Sequence, residues 1–245
     1  MKEICMQNYR WRILMIFSWV FFCSYNNAVA QSEVSNKYGL LVIKDINILQ
    51  KEIKLNPDKR MVDLRTFISG ISLDLKYATK DNFMHQRLYP RIKTTYLRQP
   101  AAIALKKVAT ELEKLNLGIK IFDAYRPYSV TKKMWEVVKD DRYAANPATG
   151  SGHNRGASVD LTLIDLKTKK ELPMGTGFDN FTDTAHQGFT GLLPEILKNR
   201  NLLKSVMEKY GFIALKTEWW HFYLPNSSDY ELLDLSFADL KKLDH

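Results

Sequence analysis

The chain has 245 residues, 45% of them hydrophobic and 26% charged, with a formal net charge of +9. That is the make-up of a soluble globular protein built around one domain of enzyme size. Its basic residues fall in scattered pairs such as Lys106-Lys107 and Lys132-Lys133 rather than in a stripe with interleaved aromatics, which excludes a nucleic-acid footprint. An excess of positive charge could favour anionic cell-envelope polymers, but solvated helix faces are the simpler account of such pairs.

Residues 1–30 have the layout of a secretory signal peptide. Lys2, Arg10 and Arg12 give a positive start, Ile13 to Phe22 an apolar run, and Ala28-Val29-Ala30 a small-x-small site, so cleavage is expected before Gln31. The run is short for a membrane span and nothing later approaches eighteen apolar residues. The sequence therefore predicts an exported protein, periplasmic or extracellular, with no integral span once the signal is removed. Phe21 and Phe22 are too bulky for a lipoprotein signal at Cys23. Both cysteines, Cys5 and Cys23, lie in the removed segment, so packing and metal must supply stability without disulfides or thiolate ligands.

Residues 31–60 are polar apart from Leu40 to Ile43 and read as a leader onto a domain spanning 61–245. From Met61 to Thr79, alternation around Gly70 predicts an extended segment, a turn and a strand. Asn82 to Thr95 has no period and reads as a loop, with His85 on its surface. Pro100 opens a helix whose face is Ala101, Ala104, Leu105, Val108, Leu112 and Leu115, with Gly118 as the stop. Ile119 to Phe122 forms a strand that ends at Asp123-Ala124-Tyr125-Arg126-Pro127. The proline holds Arg126 out of the α region, at the strand's end. Spacing alone favours a local ion pair of Arg126 with Asp123.

Ser129 is expected to cap a second helix to about Lys139, with Val130, Met134, Trp135, Val137 and Val138 as its apolar face. Val159, Leu161 and Leu163 alternate with Asp160 and Thr162, which puts Asp160 on the opposite face of a strand. Leu166 to Lys170 is a hairpin tip, and Pro173 to Gly191 is a long loop of the kind that borders active sites. His186 within it lacks a partner at metal spacing. A third helix, about Pro194 to Tyr210, buries Ile196, Leu197, Leu202, Leu203, Val206 and Met207 and ends at Gly211. Strand-like Phe212 to Leu224 follows. A polar linker and a small apolar helix, Tyr230 to Leu243, close the chain.

Within this frame the stretch Ser151 to Asp160, SGHNRGASVD, offers an imidazole at His153 and a carboxylate at Asp160, with Gly152 and Gly156 to turn the backbone. One nitrogen and one oxygen leave a divalent metal short of ligands, and EWWHF, Glu218 to Phe222, can supply His221. Glu218 then stays free to carry a proton. Such a set describes a hydrolytic zinc site, one Zn2+ per chain, with an open position for water. Residues three apart on a regular strand point to opposite faces, so Glu218 and His221 require a bend before Trp220.

The pattern Ser-x-His-x-x-Gly-x-x-x-Asp followed by Glu-x-x-His resembles the VanX-type D-alanyl-D-alanine dipeptidases, zinc peptidases of family M15. The family usually has Ala where Ser158 stands here, a departure that leaves every metal position intact. LDLKYAT (Leu73 to Thr79), FDAYRP (Phe122 to Pro127), LPMGTGFD (Leu172 to Asp179) and MEKYGF (Met207 to Phe212) agree in order, so the resemblance spans roughly residues 60 to 225. H-x6-D or ExxH alone would mean little; together and in order they are specific.

The resemblance implies His153, Asp160 and His221 as zinc ligands, Glu218 as general base and then acid, and Arg126 as donor to the scissile carbonyl oxygen. It also places Tyr77 and Asp179 at the substrate pocket. Tyr77 could equally be a core tyrosine, and Ser151 and Asp179 could either contact substrate or brace their loops. The implied fold is α+β: a small, mainly antiparallel sheet carrying the ligands, with three helices packed on one side.

The implied substrate is a small D-amino-acid dipeptide, D-alanyl-D-alanine, and export points to turnover or salvage of wall-derived dipeptides. The alternatives are a D,D- or L,D-carboxypeptidase acting on longer wall peptides, and a non-catalytic wall-binding module. Oligomeric state is open.

Overall fold

The computed structural model describes residues 36–244. The expected signal peptide, Cys5, Cys23, the cleavage site before Gln31 and the terminal His245 lie outside the described residues. The chain enters through β1 (Val42–Ile43) and α1 (Ile46–Leu55), a helix capped by Asp45, whose carboxylate accepts from Asn47 N–H. Ile46, Leu49 and Ile53 recur at helical spacing, and Leu49 and Ile53 are buried in the main core. From residue 36, then, the segment expected to be a leader is built into the domain.

β2 (Met61–Asp63) turns at once into α2 (Leu64–Phe67), a single helical turn absent from the expected extended segment. The cause is Asp63, whose carboxylate accepts from the N–H groups of Arg65 and Thr66. Gly70 at φ +73° leads to β3 (Ser72–Leu73), and β4 (Tyr96–Arg98) pairs antiparallel with β2.

Next, α3 (Gln99–Glu113) buries Ala101, Leu105, Val108 and Leu112 as expected. Leu115, assigned to the same face, is 55% exposed because the helix ends before it. The stop is Asn116, at φ +58°, and not Gly118. Gly118 lies inside β5 (Leu117–Asp123), where a Cβ would meet Leu166 Cδ2 at 2.7 Å.

α4 (Tyr128–Val137) starts after Pro127, not from a Ser129 cap; the Ser129 N–H donates to Asp234 Oδ1 at 2.8 Å. Its face is narrower than expected, with Val137 exposed. β6 (Ser158–Asp165) turns through a tip at Leu166 to Lys170, closed by Asp165 N–H to Lys170 O, as expected of a hairpin.

α5 (Pro194–Lys209) buries Leu203, Val206 and Met207, but at its start Asn199 and Arg200 go inside while Ile196 and Leu197 are half-buried. Gly211 at φ +92° ends it. β7 (Ile213–Ala214), β8 (His221–Tyr223), β9 (Leu232–Leu233) and α6 (Phe237–Leu240) complete the chain. The helix expected from Tyr230 thus begins as a strand. β9 pairs parallel with β1, and Asp234 N–H donates to Ile43 O.

The main sheet has the order β3-β5-β6-β8-β7, parallel only between β3 and β5, so the fold is the expected α+β with a mainly antiparallel sheet. α3 and α5 pack on each other and on strands β5 to β7, where Val159, Leu161 and Leu163 are fully buried. α4 departs from the one-sided arrangement by sending Met134 to the cleft that contains Asp160. No helix among the described residues is long and apolar enough to cross a membrane.

Candidate active site

Three neighbouring strands bring the site together by register. Asp160 on β6 lies opposite His221 on β8 and, across a bulge between Ile121 and Asp123, opposite Asp123 at the end of β5. The bulge puts Asp123 abreast of Asp160 where uninterrupted pairing would have placed Phe122. Val159 and Leu161 point into the helix-covered core, so Asp160 faces the cleft and is still only 2% exposed.

The loop before β6 is held by its own polar atoms. Ser151 N–H donates to Asn154 Oδ1 at 2.9 Å, His153 N–H to Ser151 Oγ at 3.2 Å, and Ala157 N–H to Gly152 O at 2.9 Å. The Asn154 amide donates to Arg126 O and to Thr131 Oγ1, both at 2.8 Å. Gly156 takes φ +67°, and a Cβ there would be strained and would press on the Met61 methyl at 2.7 Å.

This frame points His153 at Asp160. His153 Nδ1 lies 2.7 Å from Ala124 O, and a carbonyl only accepts, so Nδ1 carries the proton and Nε2 presents a lone pair. That Nε2 is 3.3 Å from Asp160 Oδ2 and 3.2 Å from His221 Nδ1, which is in turn 2.9 Å from Asp160 Oδ1. The three ligand atoms lie within 4.8 Å of one another. Burial works to raise the Asp160 carboxyl, but the two imidazoles hold it below the usual carboxylate range. Burial pushes the His221 imidazole down against the pull of Asp160. Two imidazoles and one carboxylate suit a divalent cation, and three protein ligands leave a fourth position open.

Glu218 sits where the strand was expected to bend. Between β7 and β8 the chain turns through residues 215–220, with Leu215 N–H donating to His221 O at 3.0 Å and Trp219 N–H to Ala185 O at 3.0 Å. Glu218 Oε2 is thereby 3.9 Å from His221 Nδ1. Burial, reinforced by the charges of Asp160 and Asp179, pushes the Glu218 carboxyl well above its ordinary range, with Arg126 opposing.

Arg126 shows both features considered for it. Its Nε is 2.9 Å and its terminal nitrogen 2.8 Å from Asp123 Oδ2, and the same guanidinium lines the cleft, 3.9 Å from Asp160. The Tyr77 ring lies under it, 5.0 Å from the guanidinium carbon. Tyr77 is a buried tyrosine and a cleft residue at once; its hydroxyl donates to Asp179 Oδ1 at 3.0 Å. Burial pushes the Asp179 carboxyl up to about 7.

Ser151 lines the cleft while bracing the loop, and Asp179 lies on its rim at φ +58°. His85 and His186 stand outside the three-ligand cluster; His186 lies 3.7 Å from Asp183. Two contributors were not legible as such. Tyr89, in the aperiodic loop, donates to Asp123 Oδ1 at 2.8 Å, and Asn154, inside the motif, ties the loop to Arg126. Neither carries a spacing signal.

Residues 58–242 match the family model described as D-ala-D-ala dipeptidase, Peptidase M15. A D-alanyl-D-alanine dipeptidase of Escherichia coli K12 is 34% identical over 178 residues, 73% of this chain and 91% of that protein. One from Enterococcus faecium is 31% identical over 191 residues, 67% of this chain and 93% of that protein. One from Streptomyces coelicolor is 32% identical over 176 residues, 64% of this chain and 87% of that protein. Among solved structures, the LdcB LD-carboxypeptidase aligns with a TM-score of 0.36 at 19% identity, over 64% of this chain and 69% of its own, too distant to bear on substrate. With a family match over most of its length and a ligand cluster suited to a divalent cation, the chain belongs to the D-alanyl-D-alanine dipeptidase family of M15 metallopeptidases.

Proposed function

We propose that this chain is an exported zinc dipeptidase that hydrolyses D-alanyl-D-alanine to two molecules of D-alanine. The observation that carries the reading is the convergence of His153, Asp160 and His221 beside a carboxylate, Glu218, that is no part of the ligand set. A pure binding module has no use for that extra acid or for a cationic donor such as Arg126 facing the same cleft.

His153 through Nε2, His221 through Nδ1 and the Asp160 carboxylate would hold the zinc. Zinc there supplies Lewis acidity, polarising the scissile carbonyl and lowering the pKa of the attacking water. Glu218 takes the proton from that water and returns it to the departing amine. Its upward-shifted carboxyl suits a group that must hold a proton between the two steps. Arg126 donates to the carbonyl oxygen as negative charge grows there, and Asp123 keeps the guanidinium from wandering. Tyr77, Ser151 and Asp179 supply the contacts to substrate.

The size of the cleft supports a small substrate. Its volume is about 250 Å³, below the roughly 300–1,000 Å³ of most small-molecule pockets. Export rests on the N-terminal pattern of residues 1–30 and favours turnover or salvage of wall-derived dipeptides over removal of a cytoplasmic precursor. The deciding experiment is D-alanine release from D-alanyl-D-alanine and from a longer wall peptide, with and without a chelator. Release from the dipeptide alone, lost on chelation and restored by zinc, is expected. Release only from the longer peptide would make the protein a carboxypeptidase, and zinc binding without turnover a binding module.

A further inference from the structure

A second concavity among the described residues is roomier than the catalytic cleft. It is a groove of about 630 Å³ between β3 and residues 87–93, and it shares no lining residue with the catalytic cleft. Four cationic side chains, Arg65, Arg87, Arg91 and Lys93, line it against a single carboxylate, Asp74. That carboxylate is already engaged with Lys76 at 3.0 Å. None of the four cations forms an ion pair among the described residues.

Two of the four are fixed in place by backbone. Arg65 Nη1 donates to Lys93 O at 3.1 Å and Arg87 Nε to Ala78 O at 3.0 Å, which positions each guanidinium and leaves its other N–H groups for a ligand. Like charges lining one concavity repel one another, and an anion between them reverses the sign of that interaction. Guanidinium forks match the paired oxygens of carboxylate and phosphate. The groove also has an apolar side, Ile71, Leu73 and Ile92, beside β3, an outer strand of the sheet whose far edge has no strand partner among the described residues.

From this pairing of uncompensated cations with an apolar floor, we infer that the groove binds a small organic anion carrying two or more carboxylate or phosphate groups on an apolar body. Its volume falls within the range of small-molecule sites. This site is independent of the hydrolytic reading of the other cleft.

The test is calorimetric titration of the zinc-loaded protein with benzene-1,3,5-tricarboxylate and, separately, benzene-1,3,5-triyl trisphosphate, which carry the two kinds of anionic group on the same apolar ring. Saturable binding of at least one probe is expected, weakened at least about tenfold in the Arg91→Gln/Lys93→Gln variant. That variant spares the hydrogen bonds of Arg65 and Arg87. Binding should be unchanged in Lys132→Gln/Lys133→Gln, which removes two charges from α4, and D-alanine release should be unchanged in both variants. The tighter probe tells carboxylate from phosphate. The inference is overturned if neither probe saturates, if Arg91→Gln/Lys93→Gln binds as tightly as the parent, or if both double variants lose affinity equally, which would mark a diffuse charge effect.

Discussion

Asp123 holds Arg126 from behind. Two guanidinium nitrogens of Arg126 lie 2.9 and 2.8 Å from one oxygen of a carboxylate that is fully buried, and the Tyr89 hydroxyl donates to the other oxygen at 2.8 Å. The ion pair and the proposed catalytic donor are therefore the same arrangement seen from two sides. Burial works to neutralise the Asp123 carboxyl and Arg126 works to keep it charged. Asp123→Asn should keep the metal, lower kcat by roughly a hundredfold through a misplaced guanidinium, and destabilise the fold by about 3 kcal/mol as the buried arginine loses its partner. Turnover, metal content and chemical denaturation measured on one preparation check this; full kcat would remove Arg126 from the reaction.

Glu218 lies 3.9 Å from His221 Nδ1 and outside the three-residue cluster, which is what its proposed role as proton carrier requires. Glu218→Gln preserves its volume and its place in the turn, so metal stoichiometry should stay at that of the parent while kcat falls by about 10²–10⁴-fold. Elemental analysis beside steady-state kinetics decides it. Loss of metal in the variant would recast Glu218 as a ligand, and normal turnover would end its role as proton carrier.

The Asp179 carboxyl predicts a pH dependence with a definite sign. Burial raises it from the ordinary 3.8 to about 7, against hydrogen bonds from Tyr77 and Phe83 that favour the charged form. The folded protein thus binds a proton across that interval which the unfolded chain has already lost. Its contribution to stability is present below about pH 4, declines as pH rises, and is gone above about pH 7. Unfolding curves of metal-free parent and Asp179→Asn should differ with a slope of that sign between pH 4 and 7; parallel curves would mean that the carboxyl titrates normally.

What the sequence made legible was chemistry confined to short, rigid spacings. His153 and Asp160 share one loop and strand, and the conflict between a regular strand and the Glu218–His221 spacing pointed to a bend before Trp220, where the chain turns between β7 and β8. Features set by tertiary context were not legible. Leu232 and Leu233 form an apolar run too short to tell strand from helix by period, and pairing with β1 decided for strand. Asn116 takes the left-handed position that a glycine two residues later was expected to fill, while Gly118 lies in β5 close against the Leu166 side chain. Tyr89 reaches Asp123 from a loop with no pattern at all.

Ser158, which stands where the family usually has alanine, is buried, and its hydroxyl has no hydrogen-bond partner among the described residues. Ser158→Ala should therefore leave stability unchanged or raise it by about 1 kcal/mol. The same hydroxyl explains Gly152. A Cβ there would sit 2.0 Å from Ser158 Oγ and 3.2 Å from its Cβ, so Gly152→Ala should distort the loop that presents His153 and weaken zinc binding. Adding Ser158→Ala to Gly152→Ala should recover part of that loss and not all of it, since the second contact remains. Zinc titration of the three variants checks the order; a double variant no better than Gly152→Ala would place the strain elsewhere.

Arg200 of α5 reaches the site without touching it. It is 4% exposed, burial pulls its pKa down to about 10, and it has no carboxylate partner among the described residues. Instead it donates to three carbonyls of the rim loop, Met174 at 2.7 Å, Thr184 at 2.9 Å and His186 at 3.3 Å. That loop carries Asp179, and it grips the turn beside Glu218: Ala185 O accepts from Trp219 N–H, and the Trp219 indole donates to Thr176 Oγ1 at 2.8 Å. On the proposed roles of Asp179 and Glu218, Arg200 would position substrate contact and proton carrier together. Arg200→Met should raise KM and lower kcat, reducing kcat/KM by about tenfold or more with zinc retained. Arg200→Lys should recover little, because a point ammonium cannot serve three carbonyls in the plane of a guanidinium. If both variants melt at lower temperature yet keep kcat/KM, the clasp serves only the stability of the fold.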